Sequence, residues 1–214
     1  MTASIHDVIF DCDSTLSTIE GIDELAQRSG NFDRVAAMTR AAMNGDIALE
    51  RVYDARLNII RPSLADVVAI GALYSETVVA DARMVITSLL EKGKRLFVVS
   101  GGILQAVSPF ALSLGFEEEH IHAVQLLFDR HGCYAGFAAS PLVTSLGKRE
   151  VIRALRTPGR RAMLVGDGTS DLAAKDEVDV FVGFGGVVAR TEVRAHAHVF
   201  LNGPSLKPIL ELVG

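Results

Sequence analysis

The sequence has no tryptophan and only two cysteines, Cys12 and Cys133, among its 214 residues. Two cysteines are too few for a disulfide framework. The sequence also contains no cluster of lysine and arginine, and its net charge is -5. Because nucleic-acid binding depends on cationic side chains that neutralise phosphates, this charge disfavours a nucleic-acid partner.

Long apolar runs are missing as well. The first ten residues, MTASIHDVIF, lack the basic start and the long apolar stretch of a secretory signal. The longest apolar stretches are shorter than the roughly 20 residues that a membrane helix needs. We therefore expect a cytoplasmic protein with no membrane partner. With 49% hydrophobic and 22% charged residues, its composition is typical of a globular enzyme with a sizeable core.

Short apolar runs rich in β-branched residues recur along the chain, as expected of strands buried on both faces. They lie at 5–10, 95–99, 162–165, 178–182 and 198–201. Segments with helical periodicity separate them, at 81–91, 103–114 and 148–155. Strands that alternate with helices predict an α/β fold with a parallel sheet and crossover helices.

Two segments depart from this alternation. Residues 19–75 have helical periodicity only, with breaks at 30–31, 45–46 and 62–63. This pattern predicts a small helical bundle inserted after the first strand. Residues 124–136 contain two short runs around a glycine-containing turn, which predicts a β-hairpin.

Polar residues follow several of the predicted strands, and in open α/β sheets ligands bind beyond the carboxyl ends of the strands. A single aspartate at such a position is more often a helix cap. Four groups together indicate a site. They are Asp11 with Asp13, the run Ser100-Gly101-Gly102, Gly147-Lys148 at the start of a helix, and the run 166–171 with Asp167 and Asp171.

This set of residues suits phosphoryl transfer. Asp11 can attack phosphorus and form an acyl phosphate, which divides one displacement into two easier steps. Asp13 can act as general acid and then as general base. Mg²⁺ is expected to offset the repulsion between carboxylates and phosphate, held by Asp11 and Asp167, with Asp171 orienting a ligand or a water.

The transferring phosphoryl oxygens also need hydrogen-bond donors and positive charge. Lys148 supplies a positive point charge. The hydroxyl of Ser100 and the backbone N–H groups of Gly101 and Gly102, expected to open a helix, supply directional donors.

In order and spacing, these four groups resemble the four motifs of the haloacid dehalogenase superfamily of aspartate-nucleophile phosphatases. The resemblance implies a Rossmann-like parallel sheet flanked by helices. It divides the chain into a core domain, residues 1–16 and 77–214, and an inserted helical cap, residues 17–76. It also implies that Asp13 ligates Mg²⁺ through its backbone carbonyl, so that its carboxyl group stays free for proton transfer.

The predicted cap is similar to that of the phosphoserine phosphatase branch of this superfamily. The similarity covers 20–26, 38–43 and 56–63. It implies that Glu20 binds the ammonium group of phosphoserine, Arg56 its carboxylate, and that Met43 packs against its aliphatic part. It also implies the final step of serine biosynthesis. A guanidinium group binds carboxylate with a two-pronged geometry that lysine cannot reproduce.

Three positions depart from the usual pattern of this branch. Leu49 stands where an aromatic residue is frequent, and Ile103 stands where phenylalanine is common. Ser170 replaces the usual asparagine or threonine, although its hydroxyl could still reach phosphate or water. Taken without the surrounding motifs, Glu20 and Arg56 would suit a helix N-terminus and a solvated helix face.

Two other functions stay open on the sequence alone. The enzyme could hydrolyse another small phosphomonoester, or transfer the phosphoryl group to an alcohol instead of water. The chain could also be a non-enzymatic phospho-aspartate receiver, which uses similar residues around Mg²⁺. The order of the motifs argues against a receiver, since a receiver has its phospho-acceptor on a middle strand and no cap.

Overall fold

The computed structural model of the chain describes residues 4–43 and 46–214, without the side chains of Met43 and Leu49. Its strands in chain order are β1 Asp7–Phe10, β2 Arg95–Ile103, β3 Ile121–Val124, β4 Leu126–Phe128, β5 Tyr134–Phe137, β6 Ala162–Gly166, β7 Val180–Phe184 and β8 Val199–Leu201. Its α-helices are α1 Gly21–Arg28, α2 Phe32–Met43, α3 Leu49–Ile60, α4 Leu64–Glu76, α5 Ala82–Glu91, α6 Leu104–Leu114, α7 Gly147–Leu155, α8 Thr169–Ala173, α9 Thr191–His196 and α10 Ile209–Leu212.

Six strands form one parallel sheet in the order β3-β2-β1-β6-β7-β8. This arrangement confirms the predicted α/β fold. Strand β1 lies at the centre, with Asp7 beside Arg95 and Ala162, and Phe10 beside Val98 and Val165. Every residue of β1 is buried, because helices cover both faces of such a sheet. The register brings the ends of β1, β2 and β6 together at one edge.

All five predicted sheet strands are present, and β4 and β5 form the predicted hairpin. Strand β3 was not predicted. Its sequence, Ile-His-Ala-Val, contains the polar residue His122 and is too short to give an apolar run. It adopts a strand because it can extend the sheet beside β2, so its pairing outweighs its weak local pattern.

The segment between β1 and α5 is helical, as its periodicity predicts. Helix α3 ends at Arg61, which has a left-handed φ of 46°, and Pro62 follows. Helix α4 begins with a capping box, in which the backbone N–H of Asp66 donates to Ser63 Oγ and that of Ser63 donates to Asp66 Oδ2. The predicted break at 45–46 lies partly outside the described residues, but Asp46 is not helical.

Helix α4 joins this helical segment to the remainder of the molecule by packing against α6. The helices approach closely at Gly71, where a Cβ atom would lie 3.2 Å from the carbonyl oxygen of Ala106. Within the residues that the structure describes, no single helix is long and apolar enough to cross a membrane. Two consecutive helical segments, Glu50–Ile60 and Leu64–Glu76, together reach the length and apolar composition of such a span, but they meet at a bend of 113°.

Candidate active site

Asp11 lies directly after β1, at the edge where β1, β2 and β6 end, and its side chain is largely buried. The backbone N–H of Cys12 donates to Asp11 Oδ1 at 2.7 Å. Lys148 Nζ lies 2.6 Å from Asp11 Oδ2. Cys12 itself is a buried core residue. The carboxylate predicted to be the nucleophile is therefore held at both oxygens.

Lys148 comes from the first turn of α7, as predicted. Its ammonium group also donates to Asp171 Oδ1 at 2.8 Å, and Asp171 is fully buried. Burial opposes the charge of Lys148, but Asp11 and Asp171 outweigh it and raise the pKa of Lys148. Lys148 therefore stays positively charged at the position where the phosphoryl group is expected.

Asp11, Asp167 and Asp171 form one cluster, in which an oxygen of each carboxylate lies within 4.8 Å of the others. Burial, together with the charge of Asp11, raises the pKa of Asp167 to about 7 and that of Asp171 to about 8. Together with Asp13 and Glu20, five carboxylates surround two cations, Lys148 and Arg190, so that negative charge is in excess when all are ionised. A site rich in carboxylate oxygens with this excess charge fits Mg²⁺.

The side chain of Asp13 points towards the helical segment. Its Oδ1 accepts hydrogen bonds from the hydroxyl of Tyr74 at 2.6 Å and from the backbone N–H of Gly21 at 2.7 Å. Burial raises the pKa of Asp13 to about 6, so both protonation states are populated near neutral pH. Such a value suits a group that acts as acid and then as base. The predicted metal contact of its backbone carbonyl stays a prediction.

Arg190 is a site residue that the sequence analysis missed. Its Nε donates to Asp167 Oδ2 at 3.1 Å, and its NH2 lies 3.8 Å from Glu20 Oε1. It lies between β7 and α9, beyond the carboxyl end of a sheet strand. Ligands bind beyond such strand ends, so this position was a general signal, although no motif of the sequence includes Arg190.

Ser100, Gly101 and Gly102 belong to the last part of β2, so the expectation that they open a helix was wrong. Helix α6 begins later, at Leu104. The two glycines extend the strand through an irregularity in its pairing with β3, between Val99 and Ile103. The backbone N–H of Gly102 donates to Ser100 Oγ at 3.0 Å. All three residues still line the site.

A cavity of about 380 Å³ extends from Asp11 towards α1, α3 and α4. It brings together most of the predicted residues: Asp11, Asp13, Glu20, Arg56, Ser100, Gly101, Gly102, Lys148, Asp167 and Ser170. Ile103 also lines it. The side chain of Met43, predicted to contact substrate, lies outside the described part of the structure, as does that of Leu49.

Arg56 is buried and faces this cavity from α3. Its NH1 donates to the hydroxyl of Thr39 at 3.2 Å, while its buried Nε has no hydrogen-bond partner among the described residues. A buried N–H group without a partner is costly, so this guanidinium is suited to an incoming anion. Burial lowers the pKa of Arg56, but a guanidinium group stays charged in proteins.

Glu20 precedes α1 and lines the same cavity as Arg56, with the opposite charge. Ser14 Oγ donates to Glu20 Oε1 at 2.6 Å. Burial, with the charges of Asp13 and Asp167, raises the pKa of Glu20 well above 4.5. A cationic ligand group beside Glu20 would reverse this effect, because an opposite charge favours the ionised carboxylate.

Known proteins resemble this chain over nearly its whole length. A family model described as haloacid dehalogenase-like hydrolase matches residues 8–175. Phosphoserine phosphatase of Bos taurus is 36% identical over 198 residues, covering 91% of this chain and 88% of the relative. The chloroplastic phosphoserine phosphatase of Arabidopsis thaliana is 34% identical over 200 residues, covering 91% of this chain and 68% of the relative.

Solved structures agree on the fold. A substrate-bound phosphoserine phosphatase complex has a TM-score of 0.86 to this chain at 23% identity, covering 99% of this chain and 100% of that chain. At this identity the likeness establishes the architecture. Together with the family model and the curated relatives, it shows that the chain belongs to the haloacid dehalogenase-like hydrolases and, among them, to the phosphoserine phosphatase family.

Proposed function

We propose that the chain hydrolyses O-phosphoserine to serine and phosphate through an aspartyl-phosphate formed on Asp11. One observation carries this proposal. The cavity lined by Asp11 and Lys148 is also lined by Arg56 of α3 and by Glu20, which precedes α1. A phosphate-binding group and two side chains of opposite charge in one cavity match the charges of phosphoserine. The relatives named above carry the same activity in their names.

The roles of the cavity residues follow from their chemistry. Arg56 has a buried N–H without a partner and is assigned to the substrate carboxylate. Glu20 is assigned to the substrate ammonium group. Ser170, whose hydroxyl could reach phosphate or water, is assigned to the phosphate side of the substrate. Met43 is assigned to its aliphatic part, and that assignment rests on the family resemblance alone.

The reaction begins at Asp11. A carboxylate oxygen of Asp11 forms a bond to phosphorus while the bond between phosphorus and the seryl oxygen breaks. The seryl oxygen takes the proton of Asp13 as it leaves. Lys148, Ser100 and the backbone N–H of Gly101 offer positive charge and donors to the phosphoryl oxygens.

The second step releases phosphate. Asp13, now ionised, removes a proton from a water molecule, whose oxygen bonds to phosphorus as the bond between phosphorus and Asp11 breaks. The step restores the carboxylate of Asp11 and the protonated Asp13. The same residue can serve both steps because its pKa is raised to about 6.

Asp11, Asp167 and the backbone carbonyl of Asp13 are the residues that would hold Mg²⁺. Bound Mg²⁺ supplies positive charge beside the phosphoryl oxygens. Asp171 holds Lys148 and lies next to this set, which agrees with a role in orienting its neighbours.

The division into a core, residues 1–16 and 77–214, and a cap, residues 17–76, belongs to the same proposal. The isolated bridge between Ser17 and Val78 lies where the chain leaves and re-enters the core under this division. We also assign the enzyme to the last step of serine biosynthesis and to the cytoplasm. Its two cysteines are both free.

A panel of phosphomonoesters tests the proposal. Phosphoserine, phosphothreonine, glycerol phosphate, a sugar phosphate and an aryl phosphate are supplied in turn, with Mg²⁺ omitted and then restored. We expect Mg²⁺-dependent release of phosphate with the highest kcat/KM for phosphoserine, and no release by Asp11→Asn. Equal turnover of sugar phosphates, or transfer of phosphate to added homoserine in preference to water, would replace phosphoserine hydrolysis with one of the other activities.

A further inference from the structure

We propose that Tyr74 is a positioning residue for Asp13, which fixes one carboxylate oxygen so that the other carries the proton delivered to the leaving alcohol. The inference rests on the proposed function, because it concerns the acid step of the same reaction. Tyr74 belongs to α4, at the end of the helical segment, and lines the cavity. None of the motifs in the sequence includes it.

The two oxygens of Asp13 have different surroundings. Oδ1 accepts two hydrogen bonds, from Tyr74 at 2.6 Å and from the backbone N–H of Gly21 at 2.7 Å. Oδ2 faces the end of β2, where a Cβ atom on Gly102 would lie 2.8 Å from it. The same strand end carries Ser100, whose hydroxyl accepts from Gly102. Oδ2 is therefore the oxygen that faces the expected phosphoryl site.

This arrangement decides which oxygen holds the proton. With two donors pointing at Oδ1, a proton on that oxygen would meet an N–H and an O–H group head-on. The proton of the neutral acid therefore lies on Oδ2, while Oδ1 continues to accept as a carbonyl oxygen. The hydroxyl of Tyr74 keeps its proton near neutral pH, as phenols do, and donates it to Oδ1.

The tyrosine ring has little freedom to move. It is 1% exposed and stacks on Phe110 of α6, with ring centroids 5.5 Å apart and an interplanar angle of 29°. On its other side lies Gly21, where a Cβ atom would come within 2.2 Å of the Tyr74 hydroxyl. Glycine at this position lets the hydroxyl and the backbone N–H converge on the same oxygen.

Positioning of a proton donor has a specific kinetic consequence. A seryl alkoxide is a poor leaving group and needs the proton of Asp13, whereas p-nitrophenolate leaves without one. Loss of the tyrosine hydroxyl should therefore slow release of serine far more than release of p-nitrophenol. A general loss of packing would slow both alcohols alike.

The test measures alcohol release in a single turnover, with Mg²⁺ present, for phosphoserine and for p-nitrophenyl phosphate. For Tyr74→Phe we expect serine release to slow by about 10- to 100-fold, and p-nitrophenol release by less than about threefold, since general acid catalysis contributes roughly 10²- to 10⁴-fold. Tyr134→Phe is the matched control. Tyr134 is also buried, its hydroxyl has no partner in the part of the chain that the structure describes, and it does not line the cavity. Its variant should leave both rates unchanged.

Gly21→Ala supplies a second variant, because its methyl group would displace the hydroxyl while keeping the tyrosine. We expect the same selective loss, and a smaller added effect of Gly21→Ala when Tyr74 is already phenylalanine. Equal slowing of both alcohols, or no slowing in either variant, would overturn the inference. If wild type releases another alkyl alcohol but not serine, the proposed substrate is wrong. The role of Tyr74 is then decided by comparing, in Tyr74→Phe, the release of that alkyl alcohol from its phosphate ester with the release of p-nitrophenol. A wild type that releases neither alcohol overturns both.

Discussion

At the scale of single residues, Arg56, which we propose binds the substrate carboxylate, depends on neighbours that do not line the cavity. Arg56 NH1 donates to the hydroxyl of Thr39, and that hydroxyl donates to Asp23 Oδ1 at 2.7 Å. Thr39 is buried. The hydrogen bonds from Arg56 to Thr39 and from Thr39 to Asp23 fix the direction in which the guanidinium faces. The entropic cost of ordering this side chain is therefore incurred before substrate binds.

Thr39→Val keeps the shape of the side chain but removes this link. We expect KM for phosphoserine to rise by about 10- to 100-fold, since a hydrogen bond to a charged group contributes roughly 1.5–3 kcal/mol. Turnover of a small aryl phosphate, which has no carboxylate, should stay unchanged. Thr39→Ser keeps the hydroxyl and serves as the control. Parallel losses for both substrates would mean that Thr39 acts on the fold and not on Arg56.

Asp7 gives a prediction on stability, at the opposite end of β1 from Asp11. It is 3% exposed and is bound by Arg95 NH2 at 2.9 Å and Arg160 NH2 at 2.6 Å. Burial opposes its charge, but the hydrogen bonds from Arg160 and Arg95 outweigh this and lower its pKa below 3.8. The stabilisation is therefore present above the unfolded pKa and is lost as the pH falls through the folded pKa.

Asp7→Asn should lower the free energy of unfolding by about 1–2 kcal/mol near neutral pH, a figure reduced for the partial exposure of both arginines. The difference from wild type should shrink as the pH falls below about 4. Urea unfolding of both proteins across this pH range measures it. A difference that is constant with pH would show that the ion pairs do not stabilise the fold.

Residue types and spacing were enough to predict Asp11, Lys148, Asp167 and Asp171 as one cluster, because parallel strands end at the same edge of a sheet. They did not predict Arg190 or Tyr74. Arg190 reaches the site from a loop, and Tyr74 reaches it from a helix whose neighbours in space are far away in sequence. No local pattern marks such contacts, since they depend on how the elements pack.

At the scale of secondary-structure elements, the end of β6 and the start of α8 hold Lys148 through Asp171. Gly166, the last residue of β6, makes this possible, because a Cβ atom there would lie 2.2 Å from Asp171 Cγ. Glycine allows the carboxylate to lie directly against the strand, where it accepts from Lys148 and from the backbone N–H of Gly168 at 3.0 Å.

Gly166→Ala should displace the carboxylate of Asp171 and leave Lys148 with one of its two partners. We expect kcat for phosphoserine to fall by more than about tenfold, because the charge that stabilises the phosphoryl oxygens is no longer fixed. Gly203→Ala is the control, since its Cβ atom would meet no atom within 4 Å. Wild-type activity in Gly166→Ala would show that the position of Asp171 is not needed.

The type of each element followed from the sequence more readily than its ends. The predicted start of a helix at Gly101 assumed that a glycine pair ends a strand. In the structure β2 continues to Ile103. Glycine has no side chain to clash, so tertiary pairing can extend the strand through it. The hairpin of β4 and β5 was easier to predict, because glycine readily takes the left-handed position of a turn. Gly132 occupies that position, with a φ of 78°.

At the scale of the whole molecule, the site lies between the sheet and the helical segment, and it concentrates negative charge. Burial, together with the charge of Asp11, raises the pKa values of Asp167 and Asp171, so keeping these carboxylates ionised destabilises the folded protein, and a bound cation would offset this cost. A ligand that binds only the folded protein should therefore raise its thermal stability.

Mg²⁺ should raise the midpoint of thermal unfolding, by roughly 5–10 °C when its concentration is about 100 times its Kd. Removal of the metal with a chelator should reverse the shift. Asp167→Asn should reduce the shift, whereas Asp129→Asn, on the exposed hairpin turn, should preserve it. An equal shift in Asp167→Asn and in wild type would place the metal elsewhere.

The central claim is that Asp11 carries the phosphoryl group during hydrolysis of phosphoserine, and rapid quenching with labelled substrate tests it most directly. Acid quenching in the first turnover keeps the labelled phosphate on the protein. Reduction of the quenched protein with tritiated borohydride releases the phosphate and marks the residue that held it, which peptide mapping identifies. We predict labelled phosphate on the protein before reduction, and tritium in a homoserine at the position of Asp11 after it. Asp11→Asn should give no label, and Asp13→Asn should slow its loss. Hydrolysis of phosphoserine with label on another residue, or with no covalent label, would contradict the account.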